Sequence, residues 1–267
     1  MTGVILTARG AFDARVDLSG VLPGAEGDLA KRPIPYGGRV VELGELFDVS
    51  GSGAERLTIE AGDARLDGVG AGLTKGEIVV RGDVGARLGR KMSGGVISVK
   101  GSAGAFAASE MSGGKIAIGG DAGERLGAAD DGSRRGMSGG VVIVGGSAGA
   151  RAGERLRGGV VVIEGDAGKD AAADLIAGTL AVGGRLAGSA GRGMKRGTLF
   201  LRAAEGLSGG FRDAGEHDLV LLRVLVRRSA ELAAFLGPEV TRARRFAGDL
   251  YAGGKGEALI VAPSGRM

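Results

Sequence analysis

The residue types that carry most catalytic chemistry are nearly absent from this chain. It has one histidine, His217, and no cysteine. One histidine without cysteine cannot build a histidine-rich metal site, and Glu216 and Asp218 are too close in sequence to share one site with it easily. As a general base, His217 would also need a nucleophile and an orienting group. We therefore predict no catalytic residue and no metal site, and expect a surface or cap histidine.

Glycine beside lysine is the other pattern that could indicate chemistry, because glycine-rich loops bind phosphate. The chain contains 57 glycines, but Lys115 is followed by Ile116 and Lys255 by Gly256, so no phosphate-loop motif is complete. A dinucleotide fingerprint would further need a strand, a following helix and a downstream acid. Since the glycines recur at a fixed period, turn geometry explains them, and we predict no nucleotide site.

Composition narrows the class of protein. The formal net charge of +4 and the pI near 9.6 are mild, and well short of a basic nucleic-acid-binding patch. No apolar run approaches the roughly 20 residues that span a bilayer, and the N-terminus lacks the apolar core of a signal peptide. The absence of cysteine fits a reducing compartment. We expect a cytoplasmic protein that binds neither nucleic acid nor membrane.

A repeat organises the middle of the chain. The stretch MSGGVISV at Met92 returns as MSGGKIAI at Met111 and MSGGVVIV at Met137. The full set of anchors is Leu73, Met92, Met111, Met137, Leu156, Leu175 and Met194. Their spacing is 19 residues, apart from one interval of 26. Each anchor is followed by glycine after three residues and by aliphatic residues after five and seven. One repeat unit therefore carries an insertion, and the others share one pattern.

The repeated columns predict the fold class. Aliphatic residues separated by one position point to the same face of a strand, and β-branched residues favour strands. Glycine permits the tight turn beside each strand, and stacked copies bury the face that a single copy cannot. Nineteen residues are too few for a full helix in every unit. We predict an all-β protein, a right-handed parallel β-helix of seven full coils of about 19 residues, with a shorter copy at 57–64 beginning the series.

The flanking segments lack the repeat and are predicted to be caps. Residues 1–53 form the N-terminal cap, with two short strands in 3–20; residues 54–210 form the repeat domain; residues 211–267 form the C-terminal cap. In this last cap, 217–226 (HDLVLLRVLV) is interpreted as a strand. The next segment, 227–237, is a helix that ends at Gly237, and 257–261 is a final strand.

Residues that alternate with the inward aliphatic pairs should face outward, yet many are apolar. Contiguous apolar patches mark interfaces. Either a terminal segment of this chain folds back over the face or partner subunits bury it, and the two interpretations are compatible. The candidate interface residues are Val79, Val96, Val141, Ile143, Val160, Val162 and Phe200.

Arginines recur fourteen residues after several anchors, at Arg87, Arg125 and Arg151, and the 26-residue unit adds Arg134 and Arg135 in its loop. On neighbouring coils, Arg125 and Arg151 would lie about one strand spacing apart. Guanidinium groups in a row could hold a polyanion by bidentate pairing. The alternative is a solvated face that nearby acidic residues offset.

The repeat phrase MSGGxIxVxGxAG resembles the terminal β-helix domain of the glutamate synthase large subunit. It resembles the C subunit of formylmethanofuran dehydrogenase more closely. That family's GDL…GKGE stretch is matched at 248–250 and 254–257, and its segment before the coils is matched at 46–51 (LFDVSG). The resemblance extends over nearly the whole chain.

The resemblance implies a non-catalytic scaffold subunit, and the abundance of alanine, arginine and glycine favours the bacterial formyltransferase/hydrolase complex. Such a complex transfers a formyl group between tetrahydromethanopterin and a methanofuran-type carrier and releases formate. The implied partners are an amidohydrolase-like subunit, a formyltransferase subunit and a further dehydrogenase-related subunit. The carrier's glutamate-rich tail is a candidate ligand for the five arginines. Alternatives are the C subunit of a molybdenum or tungsten dehydrogenase in methanogenesis, a glutamate synthase-type structural domain, and a stand-alone β-helix enzyme.

Overall fold

The structure, a computed structural model, describes residues 3–261 and is mostly β. One 13-stranded sheet dominates it, and the repeat supplies its parallel centre. The central strands are, in order across the sheet, β6 (Arg56–Gly62), β8 (Glu77–Gly82), β9 (Val96–Val99), β10 (Lys115–Ile118), β11 (Val141–Val144), β12 (Val160–Ile163), β13 (Thr179–Val182) and β14 (Thr198–Leu201). Beyond β14 the sheet continues with β17 (Gly256–Ile260), β16 (Arg242–Gly248) and β15 (Arg212–Asp218), and beyond β6 with β1 (Val4–Ala8) and β5 (Phe47–Gly51).

Each strand pairs with its neighbour in the same register, so the sequence columns become rows of stacked side chains. Ile97 lies beside Ile116, for example, and Val99 beside Ile118. The inward pairs of strands β8 to β14 are at most 2% exposed, and all seven anchors are at most 1% exposed. The predicted burial of both columns is confirmed.

A second row of parallel bridges runs beside the sheet. It joins Val84, Ala103, Ala122, Ala148, Ala167 and Leu186 in succession. The turn glycines adopt the predicted left-handed conformation, with φ of 80° at Gly95 and 89° at Gly140. Every unit therefore hydrogen-bonds to the next at more than one place along its length.

The N-terminal segment extends the sheet and adds a small one. The two strands predicted in 3–20 are present as β1 (Val4–Ala8) and β2 (Val16–Asp17). Strand β1 pairs parallel with β6 and antiparallel with β5 (Phe47–Gly51). The second sheet has the order β4-β3-β2-β7, and its other strands and the short helix beside it are β3 (Pro33–Tyr36), β4 (Arg39–Glu42), β7 (Leu66–Asp67) and α1 (Leu43–Leu46).

The C-terminal segment folds back onto the sheet. It contains β15 (Arg212–Asp218), α2 (Val220–Arg228), α3 (Ala230–Leu236), β16 (Arg242–Gly248) and β17 (Gly256–Ile260). Strand β17 pairs parallel with β14, so the predicted final strand is confirmed and continues the repeat sheet. The predicted helix is also present, as α3, with the Ser229 side chain accepting from the Leu232 amide and Gly237 at its end.

The prediction of a strand over 217–226 is wrong for most of its length. Strand β15 ends at Asp218, and the apolar run that follows forms α2. An uninterrupted apolar run has no alternation that would distinguish a strand from a helix. Tertiary contacts decide here, because Leu222, Leu225 and Val226 pack at helical spacing against one hydrophobic cluster.

Candidate functional site

The outward apolar face of the sheet is covered at its C-terminal end by this chain itself. Val162, Ala181 and Phe200 are buried. They share a cluster with Leu222, Leu232, Phe235, Leu236 and Leu259, and Val160 packs against it. Val162 and Phe200 therefore do not lie on a free surface, which corrects their assignment as partner-contact candidates. For these residues, a terminal segment of the chain does fold back over the face.

The same face is open at its N-terminal end. Val96 is 42% exposed, and Val79, Val141 and Ile143 are half-buried. We call Val79, Val96, Val141 and Ile143 the open sheet face. These aliphatic side chains lie on β8, β9 and β11 and are only partly shielded from water, so they form the type of patch that partner proteins cover.

A groove lies at the boundary of the covered and open parts and is lined by Ile143 from the open sheet face and Val162 from the covered part. It has a volume of about 610 Å³ and lies between the sheet and α3. At its rim the Lys115 ammonium donates to Glu231 at 2.9 Å, a hydrogen bond that holds the pKa of the Glu231 carboxyl below its ordinary value. On its wall Arg202 stacks over the Phe235 ring at 4.2 Å, and burial lowers the pKa of Arg202. One ion pair thus fixes α3 against the sheet where the cover ends.

The arginine row forms as the repeat predicts. The Arg125 amide donates to the carbonyl of Ala150, so Arg125 and Arg151 lie on neighbouring units. Between Arg87 and Arg125 lies Phe106, with the two guanidinium carbons 5.4 and 5.1 Å from its ring centre. All four residues adopt φ near +60°. The ring separates the two like charges and gives each a cation–π contact.

The inserted loop supplies carboxylates to this row, so acidic residues offset the arginines as the alternative interpretation expected, although these particular acids were not predicted. Asp130 is buried and pairs with Arg90 at 2.5 Å and with Arg87 at 3.6 Å. Asp131 pairs with Arg125 at 2.9 Å. Glu154 lies 3.8 Å from Arg151. The only sequence signal was the pair of acids in AADDGSRRG. Arg87, Arg125 and Arg151 are therefore largely neutralised within the chain.

Arg134 and Arg135 differ from the rest of the row. Both are exposed at the tip of the insertion, and neither takes part in any ion pair among those found within residues 3–261. The loop therefore presents acidic side chains to the arginine row and basic side chains to solvent.

His217 lies in β15 on an exposed position, and its Nε2 is 2.9 Å from the Ala214 carbonyl oxygen. Across the described residues, no cluster of three or more histidine, cysteine or acidic side chains could hold a metal ion. Of the helices in the same part of the chain, none is both long and apolar enough to cross a membrane.

A side-chain ladder that was not predicted from the sequence runs along the repeat, ten residues after each of the first five anchors. The Asp83 carboxylate accepts from the Ser102 amide at 2.7 Å, and the Ser102 hydroxyl accepts from the Asp121 amide at 3.0 Å. Asp121, Ser147 and Asp166 continue the pattern. Its signal was the alternation of aspartate and serine in one repeat column.

Comparisons with known proteins show what this chain is similar to. No protein-family model matches the chain. A segment of 88 residues is 44% identical to the C subunit of the formyltransferase/hydrolase complex Fhc of Methylorubrum extorquens; it covers 31% of this chain, and only 33% of that protein. One chain in the crystal structure of the formyltransferase/hydrolase complex from Methylorubrum extorquens, in complex with methylofuran, matches with a TM-score of 0.86 and 36% identity. That match covers 98% of this chain and 100% of the other.

Proposed function

This chain belongs to the C-subunit family of the formyltransferase/hydrolase complex, and we propose that it serves such a complex as a non-catalytic scaffold. The observation that carries the proposal is the half-covered sheet face. Its C-terminal half is closed by this chain, whereas Val79, Val96, Val141 and Ile143 remain open. A partner protein that covers the open sheet face would bury the aliphatic side chains that this chain leaves partly exposed.

The architecture proposed for the scaffold is a right-handed parallel β-helix of seven coils, 54–210, with end caps at 1–53 and 211–267. Support comes from the constant register between strands and from the second row of bridges. Coils stacked about 4.8 Å apart make a rod of fixed length. Partner subunits bound to such a rod would have their active sites at a fixed separation. A tethered carrier would then reach each active site at high effective concentration.

The complex would transfer a formyl group between tetrahydromethanopterin and a methanofuran-type carrier and release formate. Its other members would be an amidohydrolase-like subunit, a formyltransferase subunit and a dehydrogenase-related subunit, in the cytoplasm. The relative matched over its whole chain was crystallised with methylofuran. That match favours this complex over the molybdenum or tungsten dehydrogenase, the glutamate synthase-type domain and the stand-alone enzyme.

The test is assembly of the complex in its host with a tagged chain. The double variant Val79→Asp, Val96→Asp places two carboxylates on the open sheet face and should release at least one subunit in native mass spectrometry. Val40→Asp, at a 69% exposed position on β4, is the matched control and should assemble normally. A wild-type chain that copurifies with no other subunit would refute the scaffold. Normal assembly of the double variant would show that the interface does not include Val79 and Val96.

The carrier tail is a second ligand to test, at Arg134 and Arg135. Their exposure and lack of an ion-pair partner in the described chain favour them over Arg87, Arg125 and Arg151, which carboxylates already neutralise. A polyglutamate tail would gain charge-assisted hydrogen bonds there. Replacing both by glutamate should reduce the carrier that copurifies with the complex, whereas Arg9→Glu should not. Equal carrier content in the two variants would end this proposal.

A further inference from the structure

Helix α2 is apolar around most of its circumference. It runs from Val220 to Arg228 with the sequence VLLRVLVRR, so six of its first seven residues are aliphatic. A surface helix of a soluble protein normally carries one apolar stripe against the core and polar residues opposite. A helix that is apolar on both sides is one that other protein covers on both sides.

The inner side of α2 packs against other parts of this chain. Leu222 is fully buried, and Leu225 and Val226 pack with it against the cluster that covers the sheet face. These contacts anchor the helix to the fold. They leave the other three aliphatic side chains of the helix partly exposed.

The outer side exposes the other three. Val220 is 68% exposed, Leu221 41% and Val224 39%. At about 100° per residue, these three residues and Arg227 and Arg228 fall within one arc of about 120° on the helix. We call these five residues the outer face of α2. Covering these three aliphatic side chains would remove their exposed apolar area from water, which favours association.

Charge indicates what kind of surface covers this face. Arg227 and Arg228 are exposed at the end of the helix and have no ion pair within the described chain. Only Arg223, on the flank, pairs, with Asp218 at 3.5 Å. The face is therefore aliphatic in its first turns and cationic at its end, which is the complement of an apolar surface bordered by carboxylates.

We propose that the outer face of α2 is a docking site for another subunit of the same complex, one that presents aliphatic side chains to Val220, Leu221 and Val224 and carboxylates to Arg227 and Arg228. This inference rests on the proposed scaffold function. It concerns a surface separate from the open sheet face, since α2 lies over the covered end of the sheet.

The experiment compares tagged variants of the full complex by native mass spectrometry. Leu221→Asp with Val224→Asp should lose one subunit or bind it at least tenfold more weakly. Arg227→Glu with Arg228→Glu, which changes exposed side chains only, should weaken the same contact. Val40→Asp is the control. The substituted side chains lie outside the buried cluster, so we expect each variant to keep its fold. Circular dichroism and urea unfolding of each variant check this.

The outcomes separate the two proposals. Loss of the same subunit from both α2 variants, with wild-type unfolding, supports the docking site. Wild-type stoichiometry in both variants overturns it while leaving the scaffold intact. Binding of the wild-type chain to phosphatidylglycerol vesicles, abolished in variants that still assemble, overturns it in favour of a membrane surface. A wild-type chain that assembles with nothing overturns the scaffold and this site together.

Discussion

Single residues hold the repeat units together through the ladder of aspartate and serine. The Asp121 carboxylate accepts from the Ser147 amide at 2.7 Å, and its own amide donates to the Ser102 hydroxyl. The aspartates are exposed and the serines half-buried, yet each side chain accepts from a backbone donor in the next unit. A column of hydrogen bonds at the surface therefore supplements the apolar columns inside.

Replacing Asp121 by alanine should lower the free energy of unfolding by about 1 kcal/mol, the usual net contribution of one hydrogen bond. Asp121→Asn keeps an oxygen acceptor at the same place and should lose much less. Urea unfolding followed by circular dichroism measures both. Equal losses in the two variants would show that charge, rather than the hydrogen bond, is responsible.

The turn glycines give a second prediction at this scale. Gly140 has φ of 89°, and a Cβ added there would lie 2.6 Å from the Met111 methyl carbon and 2.8 Å from the Gly114 carbonyl oxygen. Gly132, at φ of 78°, has open space in the same position. Gly132→Ala should therefore cost only backbone strain, about 1 kcal/mol, and Gly140→Ala roughly 1–3 kcal/mol more from overpacking. Comparable unfolding midpoints for the two variants would contradict the contact.

Among the elements, helix α3 determines how much of the sheet face stays open. Its cluster residues bury Val162 and Phe200, and its first turn is tied to β10 by the pair between Lys115 and Glu231. Helix α3 reaches as far as β10 through this ion pair, and Val79 and Val96 of the open sheet face lie beyond it. Val141 and Ile143 lie on β11, between this ion pair and the buried cluster, and stay half-buried.

The ion pair predicts a pH dependence. The folded chain holds the pKa of Glu231 below its ordinary value of 4.5. The pair therefore stabilises the fold above pH 4.5, and this stability is lost as the pH falls through the lowered pKa. Wild type should be more stable than Glu231→Gln at pH 7, and the difference should shrink below pH 4.5. A difference in urea midpoint that does not change down to pH 3 would contradict it.

At the scale of the whole molecule, the repeat makes the chain a stack in which each unit contacts chiefly its neighbours. The inserted loop is an exception, since its Asp130 reaches Arg87 and Arg90 in an earlier unit. The two ends differ as well, because only the C-terminal segment folds back along the face. The outward sheet face is therefore covered by this chain toward its C-terminal end and open toward its N-terminal end.

Deleting residues 93–111, one period of 19 residues, should leave a folded protein, because Met92 then joins Ser112 and every column keeps its phase. The proposed rod becomes about 4.8 Å shorter. Subunits bound to the open sheet face and to the outer face of α2 would then lie one strand spacing closer together, so formyl transfer by the assembled complex should fall. Cooperative unfolding of the isolated variant is the control. Full activity of a complete complex would refute a spacing role.

The strands of the repeat, their buried columns and the turn glycines could all be predicted from the amino-acid sequence alone. Ile97, Val99 and Gly95 could be assigned because each unit meets the next at a constant offset, so a local pattern already specifies the contact. The same constant offset predicted that Arg125 and Arg151 would be neighbours.

The remaining features depend on contacts that form only when the chain is folded. Helix α2 was misassigned because an unbroken aliphatic run fits a strand or a helix until its packing partners are known. The burial of Phe200, the pairing of Asp130 with Arg87 and the exposure of Val220 all depend on contacts between segments far apart in sequence. No periodicity encodes such contacts, since they arise when two separately formed surfaces meet.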